Sequence, residues 1–157
     1  MESTRKSSEK IRRATNERLA EGTAAEMEVS KLLTNLLPEG YLVLNDIKFK
    51  YGNLDHVVIR PDRAIFLLET KACRGQVSWN GKQLLINGRS FSRNPICQIN
   101  RSIPWVRQTA KRLFGVNPWI VAVLVFPNAR VMVKRSVKRV NVMSVDRLIE
   151  FLRSYQQ

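Results

Sequence analysis

The eight residues Trp119 to Phe126, WIVAVLVF, form the longest unbroken apolar run in the chain. A membrane-spanning helix needs about 20 apolar residues in a row, so this run is too short to cross a bilayer. As a strand it alternates its side chains between two faces, and here both faces are apolar. Such a strand is fully buried, with layers packed on both sides of its sheet. The chain must therefore supply further strands beside it and helices above and below.

The rest of the sequence supplies them. Residues 8–20 are polar, with Glu9 and Arg13 four apart, and predict a solvated helix that Gly22 interrupts. Thr23 to Leu37 predicts a second helix, with Val29, Leu33 and Leu36 along one face and Pro38 as its stop. Tyr41 to Lys50 reads as a strand. Leu54 to Arg60 and Ala64 to Lys71 are apolar, β-branched-rich runs joined by Pro61-Asp62-Arg63, which predicts a hairpin. Gly75 to Trp79 and Gln83 to Ile86 predict a smaller hairpin around Asn80-Gly81. Asn94 to Gly115 carries a helical stripe of Ile96, Ile99, Ile103, Val106, Ala110 and Leu113, in which Pro104 predicts a kink or two shorter helices. Short strands are expected near Val131 and Val140, and Ser144 is placed to cap a last helix, Val145 to Tyr155. Strands, a helix, a strand and a closing helix indicate an α/β fold, a mixed β-sheet flanked by helices. The length of 157 residues fits a single domain. Residues 1–21 read as an N-terminal basic/polar helix or arm, and residues 22–157 as the domain proper.

Charge is distributed unevenly. The chain has 27 Lys and Arg against 13 Asp and Glu, a net charge of +14. Residues 70–145 contain no acid and 14 bases, so the whole excess lies there, while the other residues balance. A region with bases and no acids attracts polyanions and releases counterions from phosphates. The expected partner is nucleic acid; a solubilising surface is the plainer alternative. The bases are scattered over several elements rather than along one amphipathic stripe, which argues against a membrane-surface helix. No apolar segment follows the basic residues of MESTRKSSEKIRR, which predicts no secretory leader and a cytoplasmic protein. Cys73 and Cys97 are too few for a disulfide framework or a zinc motif and read as free thiols. The seven glycines fit neither phosphate-loop fingerprint. Trp79, Trp105 and Trp119 are able to stack bases, with core packing as the ordinary role.

The most informative residues are carboxylates where apolar side chains are expected. Asp55, Val57 and Ile59 share one face of their strand; Ile65, Leu67, Glu69 and Lys71 share one face of the next. If the connecting turn is the three-residue Pro61-Asp62-Arg63, Arg60 pairs with Ala64 and Asp55 falls directly opposite Glu69. Their Cβ atoms are then about 5 Å apart. Two such carboxylates repel and lose hydration, so positive charge must compensate. Lys71, two residues on, supplies one charge. A divalent metal supplies the rest, and all-oxygen ligands suit Mg²⁺ or Mn²⁺ rather than Zn²⁺. The alternative is a buried Asp/Glu/Lys network without metal. Glu26 is a third misplaced acid, on the apolar face with Val29 and Leu33, unless it is a first-turn acid of its helix. His56, the one histidine, alternates away from Asp55 and is expected to be structural or to touch substrate rather than act as a general base.

The strings Gly22-x-x-Ala25-Glu26-x-x-Val29, Gly52-Asn53-Leu54-Asp55-His56-Val57-Val58-Ile59, Leu68-Glu69-Thr70-Lys71 and Asn94-Pro95-Ile96-Cys97-Gln98 occur in the order found in the NERD (nuclease-related) domain. The chain resembles that family, a branch of the PD-(D/E)xK nuclease superfamily, from about Gly22 to about Phe126. Ala25 departs from it, standing where the family usually has Gly. The resemblance implies a restriction-endonuclease-like fold and a catalytic set of Glu26, Asp55, Glu69, Lys71 and Gln98. It implies Mg²⁺ (or Mn²⁺) held by Asp55, Glu69 and the Thr70 carbonyl, with Lys71 positioning the attacking water and Glu26 and Gln98 supporting the site. The expected activity is that of a Mg²⁺-dependent endonuclease, most simply a deoxyribonuclease. A non-catalytic nucleic-acid-binding module and an RNA-directed nuclease are the rival expectations. Arg74, Arg93, Arg101, Lys134, Arg135, Lys138 and Arg139 are the candidate backbone contacts. A stand-alone copy of the domain is expected, and a homodimer would give a duplex cutter one site per strand.

Overall fold

The computed structural model describes residues 2–157; Met1, at the head of the expected arm, lies outside the described residues. Helix α1 spans Glu2–Leu33 and is followed by a 3₁₀ turn, Thr34–Glu39. Strands β1 (Leu42–Phe49), β2 (Gly52–Ile59) and β3 (Ile65–Thr70) come next. After them run β4 (Gly75–Trp79), β5 (Leu84–Ile86), β6 (Arg89–Ser90) and helix α2 (Pro95–Phe114). The chain closes with β7 (Ile120–Phe126), β8 (Ala129–Val131), β9 (Val140–Ser144), a 3₁₀ turn (Val145–Arg147) and helix α3 (Leu148–Ser154).

The main sheet has the order β1-β2-β3-β7-β9. β1, β2 and β3 are antiparallel neighbours, whereas β7 runs parallel to β3 and β9 parallel to β7. This is the α/β mixed sheet flanked by helices that the sequence predicts. β7 is an interior strand, between β3 and β9, and is buried at every position, as its continuous apolar run requires. Trp119 is the exception to that run: it precedes the strand and is 51% exposed. One face of the sheet, with Val57, Ile65, Leu67, Ala122 and Leu124, packs on Ile96, Ile99, Val106 and Ala110 of α2. The other, with Val58, Phe66, Leu68, Val121 and Val123, packs on Val29 and Leu33 of α1 and Leu148 and Leu152 of α3. A second sheet, β6-β5-β4-β8, stands beside the first; it contains the small hairpin and joins β8 to β4 in parallel.

The turn between β2 and β3 has the three-residue form. Arg60 and Ala64 pair through the Arg60 N–H to the Ala64 carbonyl (3.0 Å), and the ladder runs from Ile59 opposite Ile65 to His56 opposite Leu68. Asp62 closes the turn by accepting from the Ala64 N–H (3.1 Å) and from the Arg60 guanidinium (2.7 and 2.9 Å). Arg60 also donates to the Leu152 carbonyl at 2.8 Å, tying the turn to α3. Arg60→Ala should therefore destabilise the fold by about 2 kcal/mol, since a charge-assisted bond to a half-buried carbonyl is lost. Urea denaturation is expected to show a lower midpoint with an unchanged slope.

Four local expectations are corrected. Gly22 does not interrupt the first helix: α1 runs unbroken for 32 residues, so the arm and the domain share one element. A single helical Gly destabilises by only about 1 kcal/mol relative to Ala, and burial of Ala25, Val29 and Leu33 anchors the far side. The α-helix ends at Leu33, not Leu37, where the chain tightens into the 3₁₀ turn that contains Pro38 and stops at left-handed Gly40. α2 passes through Pro104 as one helix, because the ring lies on its exposed side, where water reaches the carbonyl left without a partner. Ser144 does not cap a helix; its hydroxyl donates to the Asp146 carboxylate, and α3 begins only after the 3₁₀ turn.

Candidate active site

The turn geometry settles where the acids lie. Continuing the β2–β3 register by one residue places Asp55 opposite Glu69, both on the face that α2 covers. The Thr70 N–H donates to Asp55 Oδ2 at 2.7 Å, which fixes that carboxylate against the end of β3. Lys71 follows directly. Its Nζ donates to Glu69 Oε1 at 3.3 Å and to Gln98 Oε1 at 2.8 Å. Gln98 reaches the site because the Asn94 side chain accepts from the N–H groups of Ile96 (3.0 Å) and Cys97 (3.2 Å) and caps α2. Pro95 occupies the first helical position, where its missing N–H is not needed. The Asn-Pro-x-x-Gln string is thus a helix start that delivers a glutamine to the lysine one turn later.

Glu26 approaches from α1. It is half-buried on the side of Ala25 and Val29, and it lies deep within the helix, which rules out the first-turn reading. Burial and the Asp55 charge push its carboxyl above the ordinary range, while Lys71 pulls it down. Asp46 is a fourth acid that the sequence reading missed. The β1–β2 register pairs Asn45 with His56 and Ile47 with Leu54, so Asp46 falls across from Asp55. Its backbone is left-handed, with φ of 50°. The signal was available: Phe49 pairs with Gly52 across a two-residue turn, and counting back from there aligns the two aspartates.

Burial first, then the Glu69 charge, push the Asp55 carboxyl up to about 7, against the Thr70 N–H and Lys71 that favour its ionised form. Glu69 is also raised, by burial, with Lys71 opposing. The Glu69 and Lys71 side chains are only 22% and 23% exposed. A carboxyl whose folded pKa lies above its unfolded value of 3.8 stabilises the fold fully below about pH 4, and that contribution is lost as pH rises through about 7. Asp55→Asn keeps an oxygen for the Thr70 N–H and removes the charge. The variant should be more stable than the parent by on the order of 2 kcal/mol at pH 8 in EDTA, with no gain at pH 4. Urea titrations at the two pH values measure the difference.

His56 is buried on the opposite face, 1% exposed, and burial lowers its pKa to about 4. The neutral ring faces the Asn45 amide oxygen with Nδ1 (2.8 Å) and the Thr70 hydroxyl with Nε2 (3.4 Å). It is placed to hold the strand end that carries Thr70, and its burial keeps it from substrate.

A groove of about 590 Å³ opens on Glu69 and Gln98, lined also by Phe49, Tyr51, Asn53, Arg93 and Arg101. Two of the seven candidate phosphate contacts, Arg93 and Arg101, therefore reach it. The other five do not line it. Lys134 and Arg135 line a separate cleft of about 250 Å³ beside β9 and α3. Lys138 lies over the Trp79 ring at 5.8 Å, and Arg74 and Arg139 are exposed elsewhere.

Among the described residues no three His, Cys, Asp or Glu side chains converge as a metal cluster. Mg²⁺, however, is commonly held by one or two carboxylates with water completing the shell. Two adjacent, largely buried carboxylates whose protons are held too tightly for their type fit such an ion. No helix among the described residues is long and apolar enough to cross a membrane.

Residues 21–127 match the model of a family described as the nuclease-related domain (NERD). No curated protein matches the chain. Among solved structures, the chain is similar to the crystal structure of a repair endonuclease from Pyrococcus abyssi, at 17% identity and a TM-score of 0.37. The match covers 80% of this chain and 42% of that one, so the chain spans under half the length of that structure.

Proposed function

Because the chain belongs to the nuclease-related domain family, we propose that it is a metal-dependent nuclease that hydrolyses phosphodiester bonds, with DNA as its substrate. The observation that carries the reading is the facing pair Asp55 and Glu69 with Lys71 and Gln98 against them. Asp55, Glu69 and the Thr70 carbonyl would hold Mg²⁺ or Mn²⁺. When bound, such an ion polarises a phosphoryl oxygen and makes water a better nucleophile at neutral pH.

The remaining roles belong to the chain. Gln98 and Glu69 each accept a hydrogen bond from the Lys71 ammonium and so fix its position. An ammonium held there would offset the negative charge that grows on a bound phosphate during attack and would favour the ionised form of a nearby water. Half-buried Glu26 keeps a further acid beside the pair. Arg93 and Arg101 line the approach and neutralise the backbone of an incoming strand. Purified protein should cut DNA with Mg²⁺ or Mn²⁺ and stop in EDTA; no cutting under any metal would refute the activity.

One observation favours a second reading. Lys71 already pairs with Glu69, and that pair needs no metal. On this reading the domain binds nucleic acid without turnover. Salt-sensitive binding with no metal-dependent cleavage selects it, whereas competition between DNA and RNA substrates separates an RNA-directed nuclease from a DNA one.

A further inference from the structure

We propose that the groove beside Glu69 takes single-stranded DNA, and that Tyr51 is the surface on which an unpaired base stacks. The inference rests on the nuclease reading and names its substrate class. Tyr51 sits in the two-residue turn between β1 and β2, four residues before Asp55, with 55% of its surface exposed. Its ring is nonetheless held firmly. Phe49 meets it edge to face at 5.8 Å and 83°, and Phe49 in turn packs on Trp105 of α2 at 5.3 Å. The hairpin tip is thereby docked on the same helix that carries Gln98.

Two cations lie at the ring: Lys50 Nζ at 4.7 Å from its centroid and Arg101 Cζ at 5.9 Å. Arg101 is one turn beyond Gln98 on α2, and α2 contains no Asp or Glu. One groove of about 590 Å³ therefore brings together a largely exposed tyrosine ring, two arginines and the Glu69 carboxylate; the cations over the ring, Lys50 and Arg101, are exposed side chains that can turn onto a phosphate as a base takes their place. That combination, stacking platform plus basic channel, suits a strand whose bases are unpaired. A duplex keeps its base faces stacked inside and offers none to a side chain except at its ends. A free strand offers one at every nucleotide, whatever the sequence. Tyr51 would bind a base next to the phosphate at the carboxylates and set the register of cutting.

The test is fluorescence anisotropy in EDTA, where nothing is cut, with a labelled single-stranded DNA oligonucleotide and a blunt duplex of the same sequence. Wild-type protein should bind the single strand more tightly. Tyr51→Ala should weaken that binding about 10-fold, the usual loss for one stacked base, and duplex binding by less than about 2-fold. Tyr51→Trp should retain single-strand affinity, and Tyr51→Leu, which fills the space against Phe49 without a π-face, should not. Circular dichroism verifies folding, and Tyr51→Leu stands in if Tyr51→Ala is unstable. Equal losses on both probes, or no loss on the single strand, would overturn the inference and leave the nuclease reading standing. Failure of the wild-type protein to bind the single strand, while it still cuts DNA with Mg²⁺, would likewise overturn the inference alone; no cutting under any metal would overturn the reading on which it rests.

Discussion

Asp55→Ala is expected to reduce metal-dependent cleavage by roughly 10³-fold, the rate equivalent of losing the several kcal/mol that a bound metal contributes to the transition state. The variant should fold. Asp55 lies at the end of the β2–β3 ladder, and its carboxyl is held at about 7 by burial and by Glu69, so it strains the metal-free protein at neutral pH and above. Removing a strained charge does not weaken the sheet; the buried Thr70 N–H loses its acceptor, a loss of about 1–2 kcal/mol that relief of the Asp55 charge offsets. Activity and stability should therefore move independently. A plasmid-nicking time course beside a thermal melt reads both. Parent-like cutting by the variant would remove Asp55 from the site.

Lys71→Met is the second large effect, and here activity and stability fall together. Loss of one preorganised positive group at a reacting phosphate reduces rate by about 10²–10³-fold. The substitution also leaves Glu69 without its ammonium partner in a site only 22% exposed. Truncating one side of a fully buried pair costs 3–5 kcal/mol, and the residual solvent here reduces that to about 2 kcal/mol. The sign with pH follows from Glu69, whose folded pKa is already raised and rises further without Lys71. Its contribution is present at low pH and lost as pH rises through the folded pKa, so the deficit of Lys71→Met relative to the parent grows with pH. Lys71→Met/Glu69→Gln should regain the stability and stay inactive. Recovery of cutting by the double variant would mean that Lys71 served only to neutralise Glu69.

What the sequence made legible follows from how local each feature is. The facing of Asp55 and Glu69 could be read because a three-residue turn fixes parity within one hairpin, and alternation does the rest. The interior strand β7 could be read because a run with two apolar faces has no other place to go. Glu26 came from helix periodicity and a family string, and Gln98 from a family string alone; Gln98 accepts from Lys71, and Glu26 feels the Asp55 charge. Asp46 was missed because its place opposite Asp55 depends on the two-residue turn between Phe49 and Gly52, and residues 41–50 were read as a strand with no turn joining it to the next. The continuity of α1 through Gly22 was missed because a helix anchored by tertiary burial overrides a local weak point. The basic residues were least legible. Scattered over loops and the second sheet, they are sorted into the groove or away from it by non-local pairings such as β4 with β8. The total charge pointed to a polyanion without saying which bases would meet it; only the fold separates Arg93 and Arg101 from Lys134 and Arg135.

The central claim is that Asp55 and Glu69 form a metal site rather than a salt-bridge network. A crystal structure of the wild-type protein soaked in Mn²⁺ tests it most directly, because anomalous scattering identifies the ion. One Mn²⁺ is expected between the Asp55 and Glu69 carboxylates, with Lys71 still on Gln98. Crystals soaked at saturating Mn²⁺ that show no ion there, and Lys71 bridging the carboxylates in its place, would contradict it.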